Sequence, residues 1–365
     1  MSEQLLTAGS ILTGRYRIQD YIGAGGMQEV YRTYDESFSR LVVVKTPKNE
    51  SAQKRFDRSA RMSARVNHAN VANTLDYFEE EGRAFLVEEW IDGEDLGRVV
   101  VRQMGRLDPH LLAFLLHRLS KGVAAAHHAG VFHRDLKPSN IMVSKDAGLA
   151  IVKITDFGIS RLAKQELEEA IEQGEASISS SQTALGALPY MAPEMIDRPR
   201  EASTPADIWA VGAIAYRLLT GALPFGKGLR AVNAITAAVL PAPPAWFGRN
   251  PQFADLEAEL WEIIKACLAK GEADRPTGDR LIELCSNLCY SSAPRKFGRV
   301  ESLRPGNGSW GHIEADDGSR TFYHEDSVYG TGLSQGALVS FARFPGSPYP
   351  RAFPVLVLSP GDALF

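Results

Sequence analysis

The stretch 131–140, VFHRDLKPSN, constrains the fold of this chain more than any other part of the sequence. It carries a carboxylate at Asp135, an ammonium at Lys137 and a side-chain amide at Asn140, and a second carboxylate, Asp156, follows within ITDFGI. A carboxylate can accept the proton of an incoming hydroxyl, and a nearby lysine can neutralise a moving phosphoryl group. Amide and carboxylate oxygens suit Mg²⁺, a hard cation. The spacing therefore predicts phosphoryl transfer to a hydroxyl group.

The two motifs resemble the catalytic loop and the Asp-Phe-Gly motif of protein kinases, and Ala192–Glu194 adds a third kinase motif. Lys137 makes the loop similar to that of serine/threonine kinases rather than tyrosine kinases. Over about residues 10–290 the chain thus resembles bacterial Hanks-type (eukaryotic-like) serine/threonine protein kinases. The resemblance implies an α+β, bilobal fold, with a β-rich amino-terminal lobe at about 10–90 and a helical carboxy-terminal lobe at about 91–290.

The resemblance also implies an activity. In such a kinase, Asp135 and Lys137 are catalytic, Asn140 and Asp156 hold Mg²⁺, and ATP gives its γ-phosphate to a serine or threonine hydroxyl of a protein substrate. Two interpretations stay open. The first is an active serine/threonine kinase. The alternative is a pseudokinase, which is a nucleotide-responsive scaffold or nucleic-acid-binding regulator with weak or no turnover.

The residues before the loop resemble the ATP-binding lobe of the same family. The runs at 16–22 and 29–34 predict strands joined by a glycine-rich turn, and Lys45 ends the apolar strand run LVVVK. Glycines allow backbone N–H groups to approach phosphates closely, and the strand lysine of kinases grips the phosphates. The stretch 88–91 corresponds to the hinge where adenine binds. The resemblance thus implies an ATP site formed by Gly23, Gly25, Gly26, Val30, Lys45, Glu88, Glu89 and Ile91.

Three positions depart from the family pattern. Gln28 occupies the third glycine position of the loop, where its side chain could crowd the phosphates or hydrogen-bond to them. Ser59 lies on a helix predicted at 54–66, at the position of the glutamate that normally pairs with the strand lysine. Ala187 stands where these kinases usually carry a threonine that hydrogen-bonds to the catalytic acid and lysine. These departures are the reason why the pseudokinase interpretation stays open.

Glu88 falls at the gatekeeper position of the hinge, which is usually apolar, and its side chain should point towards the strand lysine. A buried ammonium without an anionic partner is costly. We therefore predict that Glu88 pairs with Lys45 in place of the missing helix glutamate. In the alternatives, the register is shifted by one residue or Glu88 turns to another cation.

The stretch between Asp156 and Glu194 corresponds to the activation segment of the family. Residues 163–176 favour a helix, and a hydroxyl-rich run follows them. Arg134, beside the catalytic acid, could pair with a phosphate on this segment. We therefore predict autophosphorylation at Ser177, Ser179, Ser180, Ser181 and Thr183. The alternative is that the run is a flexible polar linker.

Two further apolar helices are predicted at 109–128 and 205–219. Asp207, on the second, resembles the family acid that braces the backbone of the catalytic loop. Arg275 resembles the cation that forms a buried ion pair with Glu194. We interpret both residues as structural rather than catalytic.

After a short polar linker at 291–296, the sequence changes to strand-like runs separated by Gly and Pro, and five such runs within 297–360 predict a small five-stranded β-barrel. The strings SWGHI and TFYH resemble two strand motifs of the cold-shock domain, an OB-type barrel whose aromatic side chains stack on single-stranded bases. The resemblance implies base contacts by Trp310, His312, Phe322 and His324. Because residues 296–365 carry six Lys+Arg against seven Asp+Glu, an intramolecular or protein-docking module is the alternative.

The composition of the whole chain restricts the class of protein, its partners and its location. With 44% hydrophobic and 23% charged residues, the sequence is that of a globular protein. A net charge of −4 gives no general affinity for nucleic acid or membranes. Three cysteines suggest a reducing compartment, and no apolar run reaches the ~18 residues of a membrane span. We therefore expect a soluble, cytoplasmic protein with no membrane partner.

Overall fold

The structure is a computed structural model that describes residues 4–24, 28–99, 105–157, 186–198, 203–228, 230–303 and 309–358. Several predictions concern residues outside these ranges, and the structure does not test them. They are the helix at 163–176, the loop glycines Gly25 and Gly26, and the candidate phosphosites Ser177, Ser179, Ser180, Ser181 and Thr183.

The amino-terminal lobe is built on an antiparallel sheet with the strand order β1-β2-β3-β4-β6-β5. Apolar side chains on one face of this sheet form a buried core that includes Tyr16, Tyr31, Val42 and Phe85. Strands β2 and β3 contain the predicted runs 16–22 and 29–34 and extend beyond them by one or two residues. The strands are β1 (Ile11–Leu12), β2 (Tyr16–Ala24), β3 (Gln28–Asp35), β4 (Arg40–Pro47), β5 (Thr74–Glu80) and β6 (Arg83–Glu89).

Helix α1 (Glu50–Ser63) lies against this sheet and begins before residue 54, the predicted start. Asn49 caps the helix, because its side chain accepts a hydrogen bond of 3.0 Å from a backbone N–H in the first turn. The first turn is mostly polar, so the apolar periodicity did not reveal it. Phe56 of α1 packs with Leu86 of β6, which fixes the helix on the sheet.

The carboxy-terminal lobe packs helices around a second, larger core. The helix predicted at 109–128 is present with the same bounds, because Asp108 caps its start and Gly130, at φ 68°, follows its end. The helix predicted at 205–219 is longer by one residue at each end. The helices are α2 (Leu96–Val99), α3 (Pro109–His128), α4 (Pro193–Asp197), α5 (Thr204–Thr220), α6 (Arg230–Ala237), α7 (Pro251–Cys267) and α8 (Gly278–Ser286).

A small sheet of β7 (Gly93–Asp95), β8 (Ile141–Ser144) and β9 (Val152–Ile154) lies in the carboxy-terminal lobe. The stretch 131–140 leads directly into β8, and β9 leads into Asp156. Because β8 and β9 pair antiparallel, the two motifs meet at one end of this sheet. No helix in the described part of the chain combines the length and apolar character needed to cross a bilayer.

The tail forms a closed barrel of five strands with the order β12-β11-β10-β14-β15, and β15 pairs back onto β12 at Phe322 and Arg351. All five predicted strands are present, and a short strand pairs parallel with β15 in addition. Strand β10 begins at Arg295, inside the stretch predicted as a linker. The strands are β10 (Arg295–Leu303), β11 (Trp310–Ala315), β12 (Arg320–His324), β13 (Val328–Tyr329), β14 (Leu338–Phe344) and β15 (Arg351–Val357).

A buried ion pair joins the barrel to the carboxy-terminal lobe. The two guanidinium nitrogens of Arg295 contact the two carboxylate oxygens of Asp108 at 2.6 and 2.8 Å, and both side chains are almost fully buried. The same carboxylate caps α3 by accepting hydrogen bonds from two backbone N–H groups. Burial alone would raise the pKa of Asp108, but Arg295 holds this pKa below its ordinary value.

Aromatic and polar contacts surround this ion pair. Phe353 of the barrel stacks on Phe253 of α7 with a centroid distance of 5.6 Å and meets the edge of His110 at 5.2 Å. Tyr329 donates a hydrogen bond of 2.9 Å to the buried carboxylate of Glu257. The barrel is therefore packed on the lobe by a continuous core, and is not merely tethered to it.

Replacing Arg295 by Met should destabilise the chain. The change leaves the Asp108 carboxylate buried without its cation, and removing one partner of a buried ion pair costs about 3–5 kcal/mol. We expect a lower urea midpoint and a lower melting temperature for Arg295→Met. Lys296→Met is the matched control, since Lys296 forms an exposed ion pair with Asp317. Equal midpoints for the two variants would contradict a role for the Arg295–Asp108 pair in holding the barrel.

Candidate active site

Asp207 holds the backbone of the stretch 131–140 in place. Its carboxylate accepts hydrogen bonds from the backbone N–H of His133 at 2.8 Å and of Arg134 at 2.7 Å. Arg134 adopts φ 63°, a left-handed conformation that non-glycine residues adopt only when the surroundings enforce it. Burial disfavours the charge of Asp207, but its hydrogen bond to His127 helps to hold the pKa of Asp207 below its ordinary value. The brace predicted for Asp207 is thus present.

Asp135 lies where this loop presents its side chain to the cleft. Its Oδ2 accepts a hydrogen bond of 2.9 Å from Lys137, and the amide of Asn140 donates to its backbone oxygen at 2.8 Å. Its Oδ1 is buried and has no hydrogen-bond partner in the described part of the chain. A buried acceptor without a partner is costly, so this oxygen has unused hydrogen-bonding capacity.

Ala187 is buried beside the same acid. A cavity of about 10 Å³, enough for one water molecule, is lined by residues that include Asp135 and Ala187. The lining also includes Asp207, which braces the catalytic loop. The departure at this position therefore leaves a gap next to Asp135 rather than a clash.

Asn140 and Asp156 are brought close by backbone hydrogen bonding. The N–H of Thr155 donates to the carbonyl oxygen of Asn140 at 2.9 Å, which sets Asp156 beside the end of the catalytic loop. One amide and one carboxylate fit Mg²⁺, which usually takes few protein ligands and completes its shell with phosphates and water. Within the described ranges no cluster of three His, Cys, Asp or Glu side chains could hold a metal by itself. The residues present therefore fit a metal that arrives with a nucleotide.

Lys45 lies at the centre of the cleft and contacts two carboxylates. Its Nζ is 2.6 Å from Oε2 of Glu88 and 2.7 Å from Oδ1 of Asp156. The predicted contact between Lys45 and Glu88 is thereby confirmed, whereas the contact with Asp156 was not predicted. Burial opposes the charge on Lys45, but Asp156 and Glu88 outweigh burial and raise the pKa of Lys45. Burial raises the pKa of Glu88, and Lys45 opposes that rise.

The sheet register places three of the predicted ATP-site residues in one row. Gly23 of β2 pairs with Val30 of β3, Val30 pairs with Lys45 of β4, and Lys45 pairs with Leu86 of β6. The first glycine of the predicted loop, the apolar residue and the lysine thus lie side by side on neighbouring strands.

Gln28 turns its side chain into the cleft. Its Nε2 donates a hydrogen bond of 3.1 Å to Oδ1 of Asp156, the oxygen that also contacts Lys45. The Oε1 of Gln28 is buried without a partner among the described residues. The departure at the third glycine position therefore adds a polar group beside the proposed metal ligand.

Ser59 does not replace the missing helix glutamate as a partner of the lysine. Its Oγ donates a hydrogen bond of 2.5 Å to the carbonyl oxygen of Phe157, and Ser63 approaches the same oxygen at 3.4 Å. Helix α1 is therefore tied to the segment that follows Asp156 through hydroxyl groups. Sequence reasoning missed this contact because nothing local to α1 indicates it.

The hinge residues have separate roles. The carboxylate of Glu89 accepts hydrogen bonds from Lys153 at 2.6 Å and from the backbone N–H of Asn73 at 2.8 Å, so this side chain is held in structural contacts. Ile91 is buried at the end of the hinge. The side chains of Glu89 and Ile91 are thus engaged within the protein, and a contact with adenine, which the family resemblance implies, would be made by their backbone groups.

The predicted ion pair between Glu194 and Arg275 is bidentate, with distances of 2.6 and 2.9 Å, and both side chains are buried. The guanidinium also donates to the carbonyl oxygens of Ala269 and Lys270. Arg275 thereby fixes the start of α4 to the turn before α8. Both residues are structural.

The barrel carries an aromatic cluster on β11, β12 and the turn before β15. Phe322 lies 5.8 Å from Trp310 and 6.2 Å from His312 between ring centroids, and Tyr349 meets His312 at 5.0 Å. His324 accepts a hydrogen bond from the backbone N–H two residues later. Three of the four candidate base-contacting residues therefore lie together, and Tyr349 is an addition that the strand patterns did not reveal.

Comparisons with known proteins agree with this geometry. Residues 16–286 match the family described as the protein kinase domain. The chain is 30% identical over 352 residues to the serine/threonine-protein kinase pkn2 of Myxococcus xanthus, which covers 94% of this chain and 40% of that protein. It is 33% identical over 275 residues to pkn3 of the same organism, covering 73% and 48%. It is 34% identical over 280 residues to the serine/threonine-protein kinase PknA of Mycobacterium tuberculosis, covering 73% and 59%. The chain thus spans about half the length of these curated relatives.

Lys45→Met should lower the free energy of unfolding, and more so at pH 8 than at pH 5. Without the lysine, Glu88 is buried with no cation and favours its protonated form. The ordinary pKa of a glutamate carboxyl is 4.5, and burial raises the pKa of Glu88 in the folded state. Such a group stabilises the fold at pH values below 4.5, and this stabilisation is lost as the pH rises from 4.5 through the folded-state pKa. Chemical denaturation at both pH values measures the effect.

Lys153→Met is the control for that experiment, because its ion pair with Glu89 is more exposed than that of Lys45. We expect a smaller loss of stability for this variant. Equal losses for Lys45→Met at pH 5 and pH 8 would contradict a buried, uncompensated Glu88.

Proposed function

This chain belongs to the protein kinase family, and from that membership we propose that it is a serine/threonine protein kinase. It transfers the γ-phosphate of ATP to serine or threonine hydroxyls of protein substrates. The observation that carries the proposal is the side chain of Asp135, with one oxygen bound to Lys137 at 2.9 Å and the other buried and without a partner among the described residues. That arrangement suits a base waiting for a hydroxyl.

Each polar residue of the cleft has a role in this proposal. Asp135 accepts the hydroxyl proton, and Lys137 stabilises charge on the moving phosphoryl group. Lys45 holds the phosphates of ATP. Asn140 and Asp156 hold Mg²⁺, which when bound neutralises charge on the phosphate oxygens.

The alternative is a pseudokinase, and the three departures from the family pattern bear on it. Glu88 supplies an anion to Lys45, Gln28 hydrogen-bonds to Asp156, and a small cavity is lined by Ala187 and Asp135. The missing helix glutamate is thus compensated by Glu88, and the polar residues of the cleft are all present. We therefore favour an active kinase.

Autophosphorylation of the activation segment is part of the proposal. Nε of Arg134 is buried beside Asp135 and has no hydrogen-bond partner in the described part of the chain. A guanidinium in that position can accept a phosphate as its partner. The candidate acceptors are Ser177, Ser179, Ser180, Ser181 and Thr183, all outside the described residues.

Incubation with Mg²⁺ and γ-labelled ATP should label the wild-type chain, and mass mapping should place the phosphate within residues 177–183. Asp135→Asn should reduce labelling at least about 100-fold, since general-base catalysis contributes that much, while nucleotide binding persists. Asp255→Asn, at an exposed position on α7, is the control and should label like wild type.

The outcomes of that experiment separate the interpretations. Transfer to an added protein with no phosphate in 177–183 would rule out the proposed autophosphorylation sites. No transfer to any protein, with nucleotide binding intact, would favour the pseudokinase.

For the tail we propose a cold-shock-like, OB-type barrel at 297–360 after the kinase domain at 10–290, with the last two residues of the predicted linker 291–296 belonging to the first barrel strand. A second candidate function, binding of single-stranded nucleic acid, is supported by the aromatic cluster. Arg320 lies over the Tyr349 ring at 5.4 Å and Arg351 over the Phe322 ring at 6.0 Å. Tyr349 is exposed and the other rings of the cluster are half-buried, and aromatic rings flanked by guanidinium groups are typical of surfaces on which bases stack. The cytoplasmic location stays a prediction from the sequence.

The intact chain should bind a fluorescein-labelled oligothymidine with an affinity that falls as salt rises. Phe322→Ala should weaken binding roughly tenfold, because one stacked base contributes about 1–3 kcal/mol. Fluorescence anisotropy measures the affinity. Phe38→Ala, which removes an exposed aromatic ring in the amino-terminal lobe, is the control. Equal affinities of the two variants, or no binding at high micromolar concentration, would leave docking on the kinase lobe as the role of the barrel.

A further inference from the structure

The family places the anionic partner of the strand lysine on the helix that corresponds to α1, where this chain carries Ser59. We propose that Glu88 positions Lys45 for the nucleotide, so that the lysine is anchored from within the sheet and independently of α1. This inference rests on the proposed function, because it concerns how the kinase site holds ATP.

The sheet register makes the anchor a rigid one. Val43 of β4 pairs with Glu88 of β6, and Lys45 pairs with Leu86. Residues two apart on a strand share a face, so Lys45 and Glu88 lie diagonally across two hydrogen-bonded strands on one face of the sheet. Long side chains reach each other at this spacing, and the contact is 2.6 Å. The pair is thus held by the backbone ladder between β4 and β6.

Asp156 cannot serve as the permanent partner of the lysine. Its Oδ1 is shared between Lys45 at 2.7 Å and Gln28 at 3.1 Å, and the carboxylate is also the proposed metal ligand. When Asp156 turns to a metal, Lys45 needs another anion. Among the described residues, Glu88 forms an ion pair with Lys45 alone, and its side chain is only 6% exposed. A carboxylate so deeply buried depends on its cation as much as the cation depends on it.

Helix α1 has a different attachment. Ser59 and Ser63 direct their hydroxyls to the carbonyl oxygen of Phe157, at 2.5 and 3.4 Å. Neither hydroxyl supplies charge to the lysine. A displacement of α1 therefore changes these contacts with Phe157, whereas the Lys45–Glu88 pair is held by the backbone pairing of β4 and β6. In a kinase with a helix glutamate, the same displacement would break the lysine pair.

Calorimetric titration with Mg²⁺ and ADP tests the role of Glu88 without requiring turnover. Glu88→Met should weaken ADP binding about tenfold, because Lys45 then pairs with Asp156 and is withdrawn from the phosphates. Glu88→Gln keeps the size and polarity of the side chain, so it should show the same loss even if the Met variant folds poorly. Glu79→Met, at an exposed carboxylate on the neighbouring strand β5, should stay within about twofold of wild type.

A double variant restores a negative charge near Lys45, now supplied by helix α1. Glu88→Met combined with Ser59→Glu should recover most of the lost affinity, to within about threefold of wild type. Such recovery is the readout that a merely structural role of Glu88 would not produce. Wild-type affinity in Glu88→Met and Glu88→Gln would overturn the proposal. A loss that Ser59→Glu does not repair would overturn the equivalence of positions 59 and 88.

The result of the ADP-binding test can be distinguished from the result of the phosphate-transfer test of the proposed function. If the wild type binds ADP with the expected pattern among the variants but transfers no phosphate, the kinase proposal fails and the anchoring role of Glu88 stands. If the wild type transfers phosphate and the Glu88 variants bind ADP as tightly as it does, the anchoring role alone fails.

Discussion

The buried ammonium of Lys45 joins the two lobes of this chain, and the arrangement of the cleft depends on it. Glu88 approaches it from the amino-terminal sheet and Asp156 from the carboxy-terminal lobe, at 2.6 and 2.7 Å. Removing such a charge from water costs several kcal/mol unless anions surround it. Two carboxylates contact the buried ammonium, and Gln28 adds a hydrogen bond to one of them. The contact between the lobes is thus electrostatic at the point where a nucleotide would bind.

Strained backbone occurs where the proposed chemistry takes place. Arg134 and Asp156 have φ values of 63° and 61°, in the left-handed region that non-glycine residues rarely adopt. Each such residue costs of order 1–3 kcal/mol, so the surroundings have to enforce it. Asp207 enforces the first through two backbone hydrogen bonds, and Lys45 and Gln28 hold the side chain of the second. Buried charges therefore maintain the loops that regular secondary structure cannot.

The sequence predicted those parts of the site whose signals are local. The bounds of α3 followed from its apolar face and from the glycine after its end, and the spacing of 131–140 predicted the candidate catalytic residues. The Lys45–Glu88 pair was also predictable, because a buried ammonium needs an anion and the hinge offered one. The hydrogen bond from Gln28 to Asp156 was not, since it joins residues 128 positions apart. Such contacts depend on how the lobes meet, and periodicity carries no information about that.

The position of the barrel on the kinase lobe is a second feature that the sequence did not predict. Its five strands were predicted, but the contact surface was not, because Arg295 and Asp108 are 187 positions apart. Asp108 serves two structures, since it caps α3 and accepts the buried guanidinium of the barrel. The residues that dock the barrel, among them Phe353, differ from those of the aromatic cluster around Phe322. Packing against the kinase lobe and ligand binding by the cluster are therefore compatible, and the docked position would fix that surface relative to the active site.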